Sequence, residues 1–319
     1  MTQSKKKLFV ILNPIAGKGK AIKAYPQIEN LLKKAGADFE IVLTEKPGHA
    51  LEIARGLSDT TVGVTVAAGG DGTCNEVVNG LLTRDSSLTG GGGTPLFGIL
   101  PIGRGNDFAY SAQVPHDPEK ALEILLEGAA IPLDVGLVHG GFFPNGRYFV
   151  NGIGIGFDTK VGFEAAKMNI RSSLGYVLGA VITVAKFEPS PVLEIHHDNQ
   201  TFIESSIIVS IVNGRRMGGS FFMGPNALLN DGLLDFCVIR HPDSRRRLLN
   251  IVLKYPKGKQ TECEETTYGR GSRFFLKALE RGMAAHCDGE TICFDGKELT
   301  ITCIPNALRL ISKSKFIKS

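Results

Sequence analysis

Four times between residues 8 and 127 the chain repeats one order: a short apolar, β-branched run, a turn, and a stretch whose apolar residues fall at helical spacing. The runs are 8–12, 39–43, 62–68 and 96–100; the helical stretches are 25–35, 50–57, 74–82 and 118–127. Runs this short and this apolar suit strands buried on both faces, the habit of parallel sheets. Right-handed crossovers place all four strand-to-helix turns on one edge of one sheet. Open α/β sheets bind their ligands at that edge. The repeat therefore predicts a parallel α/β domain with its chemistry in the turns.

The third turn is Gly69-Gly70-Asp71-Gly72-Thr73, leading into Cys74-Asn75. Glycines let a ligand approach the backbone, and a helix N-terminus offers N–H groups to an anion. Asp71 would repel a phosphate unless a cation lay between them, so a Mg²⁺-bridged nucleoside triphosphate reconciles the five residues. Glycine turns with an aspartate cap are also ordinary turn chemistry, and these residues alone leave both readings open. The fourth turn, Pro101-Ile102-Gly103-Arg104-Gly105-Asn106-Asp107-Phe108-Ala109, brings a second carboxylate. The first, Asn13-Pro14-Ile15-Ala16-Gly17-Lys18-Gly19-Lys20, is glycine-containing and lysine-bearing but is not a Walker A loop. In the second turn Thr44 either caps the turn or bonds a ligand, and His49 is expected to be exposed and uninvolved. Three glycine turns converging on one edge, with Asp71 and Asp107 as Mg²⁺ carboxylates, favour a nucleotide site. The glycine run near residue 90 receives no function.

At 319 residues the chain has room for a second domain, and 43% hydrophobic with 21% charged residues reads as ordered and globular. A net charge of +4 is too small to argue for nucleic acid, and none is expected as a partner. Basic clusters at 5–7, 245–247 and the C-terminal lysines read as solvated, or as attracted to an anionic membrane. Six cysteines without a C-x-x-C pair read as reduced thiols, and no zinc site is expected. The first residues lack the apolar core of a signal peptide, and the longest apolar run, 174–185, is too short to span a bilayer. The expected setting is cytoplasmic, with peripheral membrane contact.

From residue 131 strand-like segments dominate: 131–138, 148–155, 192–197, 201–212, 234–239, 273–279, 283–288 and 298–304. They predict an antiparallel β-sandwich, interrupted by helical stretches at 159–186 and 242–253. The expected domains are 1–131 plus 305–319, and 132–304, with 306–312 returning to the first. Gly152-Ile153-Gly154-Ile155-Gly156 lacks dinucleotide-fingerprint spacing and reads as a tight turn. Asn230-Asp231-Gly232-Leu233-Leu234-Asp235 reads as a hairpin turn, or as a cation held by Asp231 and nearby carbonyls. Asp288-Gly289-Glu290 is either another hairpin turn or a source of the base that a kinase uses on a hydroxyl. The first domain offers no spare base, so Glu290 or Asp288 would supply it from across an interdomain cleft.

The ordered set Asn13-Pro14-x-x-Gly17, Gly69-Gly70-Asp71-Gly72-Thr73, Pro101-x-Gly103-x-x-Asn106-Asp107-Phe108-Ala109, Asn213-Gly214, Gly218-Gly219, Asp231-Gly232-Leu233-Leu234-Asp235 and Asp288-Gly289-Glu290 resembles the diacylglycerol kinase catalytic domain family. Soluble bacterial lipid kinases are the nearest likeness, and sphingosine and ceramide kinases share the domain. The resemblance spans residues 8 to about 310. It implies an α/β nucleotide-binding domain of NAD kinase type plus a β-sandwich. It also implies that ATP binds at Asn13, Pro14, Ile15, Ala16, Gly17, Thr44 and Gly69 to Asn75, and that Asp71 and Asp107 serve ATP and its Mg²⁺. Glu290 would activate the lipid hydroxyl with Asp71 as catalytic partner, and Leu228, Asp231 and Leu233 would hold a structural Mg²⁺. Arg104 stands where the family carries a threonine that contacts ATP; an arginine instead suits a phosphate, or points to solvent. The expected activity is an ATP-dependent lipid kinase acting on a lipid alcohol, diacylglycerol first, at a transient membrane contact. A soluble kinase of NAD kinase type and a non-catalytic nucleotide- or lipid-binding regulator are the alternatives. Homodimerisation stays open.

Overall fold

The computed structural model describes residues 7–58, 62–85, 87, 93–156, 159 and 190–313. They form two compact units. One contains the residues up to Val135 and those from Pro305 onward; the other is Gly136–Ile304.

In the first unit β1 (Leu8–Leu12), α1 (Ala16–Lys34), β2 (Phe39–Leu43), α2 (His49–Gly56), β3 (Val64–Gly69), α3 (Asp71–Leu82), β4 (Leu96–Pro101), α4 (Asp107–Ser111) and α5 (Pro118–Glu127) follow in order. The strands pair in parallel in the order β4-β3-β1-β2. β1 and β3 are buried along their whole length, as expected of strands covered on both faces. Because β1 has β2 on one side and β3 on the other, the chain direction across the sheet reverses between β1 and β3. The turns after those two strands therefore flank a crevice, where ligands bind in sheets of this kind. The expected return of 306–312 is found: in the strand Glu298–Ser312, Arg309 lies opposite Leu96 and Leu310 opposite Phe97, parallel to β4.

Two helices start earlier than their spacing predicts. α1 opens at Ala16, but Gly17, Lys18 and Gly19 have left-handed backbone (φ +61°, +62° and +82°), and regular helix follows them through Pro26. Proline removes the bond to the carbonyl of Ile22, which sits on an exposed face where water can take it. α3 opens at Asp71 rather than Cys74, with Gly70 as its N-cap. α2 and α3 meet closely at Gly80, where a Cβ would lie 2.5 Å from Leu51 O. Glu76 on α3 caps α2, accepting the Gly48 and Ala50 N–H groups at 3.0 and 3.1 Å.

The second unit contains the end of β5 (Ala129–Gly140), then β6 (Phe143–Phe149), β7 (Gly152–Gly156), β8 (Val192–His197), β9 (Gln200–Val212), β10 (Leu234–Arg240), α6 (Arg245–Val252), β11 (Thr266–Gly271), β12 (Arg273–Ala278), β13 (Met283–Cys287), β14 (Glu290–Gly296) and the start of β15 (Glu298–Ser312). Pairing is antiparallel: β14-β13-β7-β9-β10-β11 on one side, β9-β8-β12-β15 on the other. β9 belongs to both, pairing with β8 through its first half and with β7 and β10 through its second. Val209, Ile211, Phe236 and Val238 enter the sandwich core with Ile195, Phe274 and Leu276. Their sequence neighbours Ile208, Val212, Cys237 and Ile239 pack with Leu248, Ile251 and Val252 of α6. That period of two explains why β9 and β10 read as unbroken apolar runs: each face has its own cover.

Three readings change here. Gly152–Gly156 is a buried strand between β13 and β9, not a tight turn. Its glycines serve close approach: a Cβ on Gly152 would lie 2.5 Å from Val212 Cγ1. The segment 148–155 is two strands, β6 and β7, separated at Val150-Asn151. β11 was not anticipated. The helix read at 242–253 is α6, started by Ser244, whose side chain accepts the Arg247 N–H. The helical stretch read at 159–186, apart from Thr159, and the glycines at 90–92 lie outside the described residues.

Candidate active site

The first unit brings its glycine turns together. Asn13 Nδ2 donates to Thr73 Oγ1 at 3.2 Å, and Asn13 Oδ1 accepts the Ile15 N–H at 3.2 Å. One side chain thus ties the turn after β1 to the turn after β3 across the crevice. A Cβ on Gly69 would collide with Thr73, and one on Gly17 with the carbonyl of Ile102. Gly70 and Gly103 approach backbone to backbone, and the Ile102 N–H donates to Gly69 O at 2.8 Å. Glycine is required where these turns meet because nothing larger fits. Gly72 is exposed, as is Ile15 on the first turn, while Pro14 and Ala16 are half-buried.

α3 begins at Gly70, which has no side chain to cap it, and a helix N-terminus of this kind suits an anion. Asp71 does not cap this helix. Its Oδ1 accepts the Phe108 N–H of the fourth turn at 2.9 Å. Its Oδ2 and Asp107 Oδ2 both flank Gly105, where a Cβ would lie 3.1 Å from the one and 3.4 Å from the other. Two carboxylates flanking one glycine are placed to serve the same divalent cation. Mg²⁺ takes one or two carboxylates and fills its shell with water and phosphate oxygens, so this pair fits a Mg²⁺–nucleotide. Among the described residues no group of three or more His, Cys, Asp or Glu is placed to hold a metal unaided.

The remaining residues of the set divide. Thr44 is buried at the end of β2, its N–H on Leu12 O at 2.9 Å. Cys74 and Asn75 are buried in α3, where Asn79 Nδ2 donates to Asn75 Oδ1 at 3.2 Å. Arg104 is exposed on the fourth turn. His49, expected to be exposed and uninvolved, is half-buried, and its Nδ1 accepts the Glu45 N–H at 3.0 Å. Asn106, between Gly105 and Asp107, is buried with φ +50°; its Nδ2 donates to Gly103 O and lies 3.1 Å from His116 Nδ1. Asparagine tolerates that backbone better than most residues.

In the second unit Asp288 and Gly289 form the turn between β13 and β14, both with positive φ, as two-residue hairpins require. The turn reading is therefore correct, and it separates the two carboxylates. Asp288 is taken up by backbone: its oxygens accept the N–H groups of Val150 (2.7 Å), Asn151 (3.1 Å) and Gly152 (2.9 Å). Glu290 opens β14 with its side chain 40% exposed. Arg147 on β6 grips it through a fork, Nε to Oε2 at 2.7 Å and Nη2 to Oε1 at 2.8 Å. Of the pair, Glu290 is the carboxylate a substrate can reach. Burial, and then the nearby Asp288 and Glu290, push the Cys287 thiol beneath it well up, so it stays neutral.

At the Asp231 turn one oxygen accepts the Leu233 N–H at 3.2 Å and the other receives Arg270 Nη1 at 3.2 Å. Leu228 and Leu233 are half-buried nearby in sequence. Arg270 already places a positive charge at one Asp231 oxygen, so an ion bound there would share the carboxylate with a guanidinium.

A parallel sheet with converging glycine turns and paired carboxylates, in one chain with a sandwich that presents an accessible carboxylate, defines a nucleotide-using kinase class. Residues 7–138 match the diacylglycerol kinase catalytic domain, and residues 151–312 match the YegS C-terminal NAD kinase beta sandwich-like domain. The chain belongs to the diacylglycerol kinase catalytic domain family and is a kinase of the lipid kinase-like group. It is 27% identical to a Bacillus subtilis (strain 168) protein named "Diacylglycerol kinase" over 288 residues, 89% of this chain and 90% of the relative. It is 32% identical to a Cronobacter sakazakii protein named "Probable lipid kinase YegS-like" over 284 residues, 88% of each. A Bacillus anthracis crystal structure described as a diacylglycerol kinase superposes with a TM-score of 0.74 at 22% identity, covering 99% of this chain and all of that one. Yeast NADH kinase in complex with NADH shares the fold with a TM-score of 0.53 at 12% identity, over 98% of this chain and 85% of that one. No helix among the described residues is long and apolar enough to cross a membrane.

Proposed function

We propose that this chain transfers the γ-phosphate of ATP to the hydroxyl of a membrane lipid, diacylglycerol to phosphatidic acid being the first substrate to test. The observation that carries the reading is the carboxylate pair Asp71 and Asp107 around Gly105, in the turns after β3 and β4, together with the accessible Glu290. The relatives' names favour a lipid acceptor. In this reading the glycine turns and the α3 N-terminus hold the triphosphate, while Asp71 and Asp107 hold Mg²⁺. The ion supplies charge neutralisation on the phosphate oxygens. Glu290 accepts the proton of the lipid hydroxyl as its oxygen bonds to the γ-phosphorus. The bond between that phosphorus and the β–γ bridging oxygen breaks, ADP leaves with the electron pair, and Glu290 later returns the proton to water. Since the acceptor resides in a bilayer, the protein touches a membrane transiently and otherwise works in the cytoplasm.

The test is transfer of labelled γ-phosphate from ATP to a panel of lipid alcohols in mixed micelles, with Mg²⁺ or EDTA, by wild type and Glu290→Gln. Mg²⁺-dependent labelling of a lipid, reduced about 10²–10⁴-fold in the variant, is the expected result. The fold shared with NADH kinase gives a second reading, a soluble acceptor. Labelling of NAD⁺ in the absence of lipid would select it.

A further inference from the structure

Arg147 and Glu290 lie far apart in sequence, on β6 and β14, yet form a two-point ion pair at the candidate base. The guanidinium is 11% exposed against 40% for the carboxylate. Its Cζ also lies 5.7 Å from the centre of the Phe143 ring, on the same strand. The cation is therefore enclosed and fixed by packing, while the anion keeps open faces. The strand carrying it is anchored independently. Asp288, two residues before Glu290, accepts the N–H groups of Val150, Asn151 and Gly152 directly after β6. The hairpin tip is thus fastened to β6 and β7 at one point and to Arg147 at another.

We propose that Arg147 is the positioning residue for Glu290 in phosphotransfer, holding the carboxylate in one orientation by both oxygens. The inference rests on the reading of Glu290 as the base. A carboxylate has about four lone-pair positions, and a guanidinium fork occupies two. One lone pair on each oxygen remains for an incoming hydroxyl, so Arg147 does not have to leave for the proton to arrive. A base that swings freely on a three-bond stem spends little time aligned with the O–H; the fork removes that freedom before substrate binds. A surface ion pair that served stability alone would not need its cation shielded and stacked on a ring.

The test compares Arg147→Ala and Arg147→Lys in wild-type and Glu290→Gln backgrounds, by steady-state labelling of lipid in mixed micelles, after thermal melts establish folding. Arg147→Ala should lower kcat about 10²-fold, the cost of roughly 1 Å of misplacement, with KM for ATP unchanged. Millimolar guanidinium should restore part of that loss in Arg147→Ala and none in the double variant. The double variant should be no slower than Glu290→Gln alone, because residues acting as a unit are not additive. If the alanine variant does not fold, Arg147→Lys carries the test: it keeps the charge and the stem over Phe143 but not the fork, and should still lose about tenfold in kcat. An unchanged kcat, an equal further loss in the Glu290→Gln background, or a raised KM for ATP at constant kcat would overturn the inference and leave the kinase reading intact. Full activity of Glu290→Gln, or a wild type that labels no acceptor, would overturn both.

Discussion

Asp71 uses its two oxygens differently, and a substitution can separate them. Oδ1 accepts the Phe108 N–H and ties the third turn to the fourth; Oδ2 faces Asp107 across Gly105. Asp71→Asn can keep the first bond through its amide oxygen while removing the charge. Phosphotransfer should fall about 10²-fold or more with little change in melting temperature; a large loss of thermal stability instead would make Asp71 a structural tie. Gly105 gives a second handle. Its φ is not positive, so alanine suits the backbone, but the methyl would sit 3.1 Å from Asp71 Oδ2. Gly105→Ala should raise the Mg²⁺ concentration for half-maximal activity about tenfold, read from a Mg²⁺ titration; an unchanged titration would remove the carboxylate pair from the metal's shell. These residues were legible because turn glycines and an aspartate in a phosphate-type loop mark themselves locally. Arg147 was not, since its partner is 143 positions away and nothing in Phe143-Pro144-Asn145-Gly146-Arg147 announces a fork. The residues alone left Asp288 and Glu290 open, and only the family resemblance named Glu290; the physical difference lies in which oxygens meet the backbone of Val150 to Gly152.

Elements were most legible where periodicity and punctuation agreed. β2, α5 and β8 have the strand and helix patterns with clean stops, and α5 has Asp117 capping the Lys120 N–H ahead of Pro118. β7 failed because glycine signals a turn locally, whereas here it admits neighbouring strands; the alternation of Ile153 and Ile155 into the core was the better guide. α6 carries a prediction at this scale. Three arginines begin it, unfavourable at a helix N-terminus, and Arg247 turns instead to Glu265, Nε to Oε1 at 2.6 Å and Nη2 to Oε2 at 2.9 Å. Those hydrogen bonds hold the Glu265 carboxyl below its ordinary value of 4.5 against the opposing effect of burial. A folded-state value lower than the unfolded one stabilises above the ordinary carboxylate range, and the contribution disappears as pH falls through the folded value. Arg247→Gln should therefore melt a few degrees below wild type at neutral pH, and the two curves should converge in strong acid. A gap that stays constant with pH would assign the pair no electrostatic role.

At the scale of the whole molecule, the first unit is discontinuous: it needs residues from Pro305 onward, which follow the entire second unit. Sequence suggested that 306–312 returns to the first domain but not how: a parallel partner two hundred residues earlier leaves no mark in either segment. The tail is well anchored. Leu308, Leu310 and Ile311 are buried, and the Asn306 N–H donates to Asp134 Oδ1 at 2.8 Å. Arg309 reaches Ala130 O, and Lys313 reaches Glu123 and Glu127 on α5. Burial of each apolar side chain contributes about 1.5–3 kcal/mol, so the three together approach the roughly 5–15 kcal/mol by which whole domains are stable. Loss of the tail would also strip β4 of its neighbour and expose an apolar sheet edge, a template for aggregation. A chain ending at Ile304 should therefore lose the cooperative unfolding transition of the first unit and aggregate, while Lys313→Ala, which removes only two exposed ion pairs, should melt close to wild type. Calorimetry of the two variants beside the full chain decides it. An undiminished transition in the shortened chain would mean that the α/β unit closes without the returning strand, and that the strand is an accessory to the fold rather than part of its sheet.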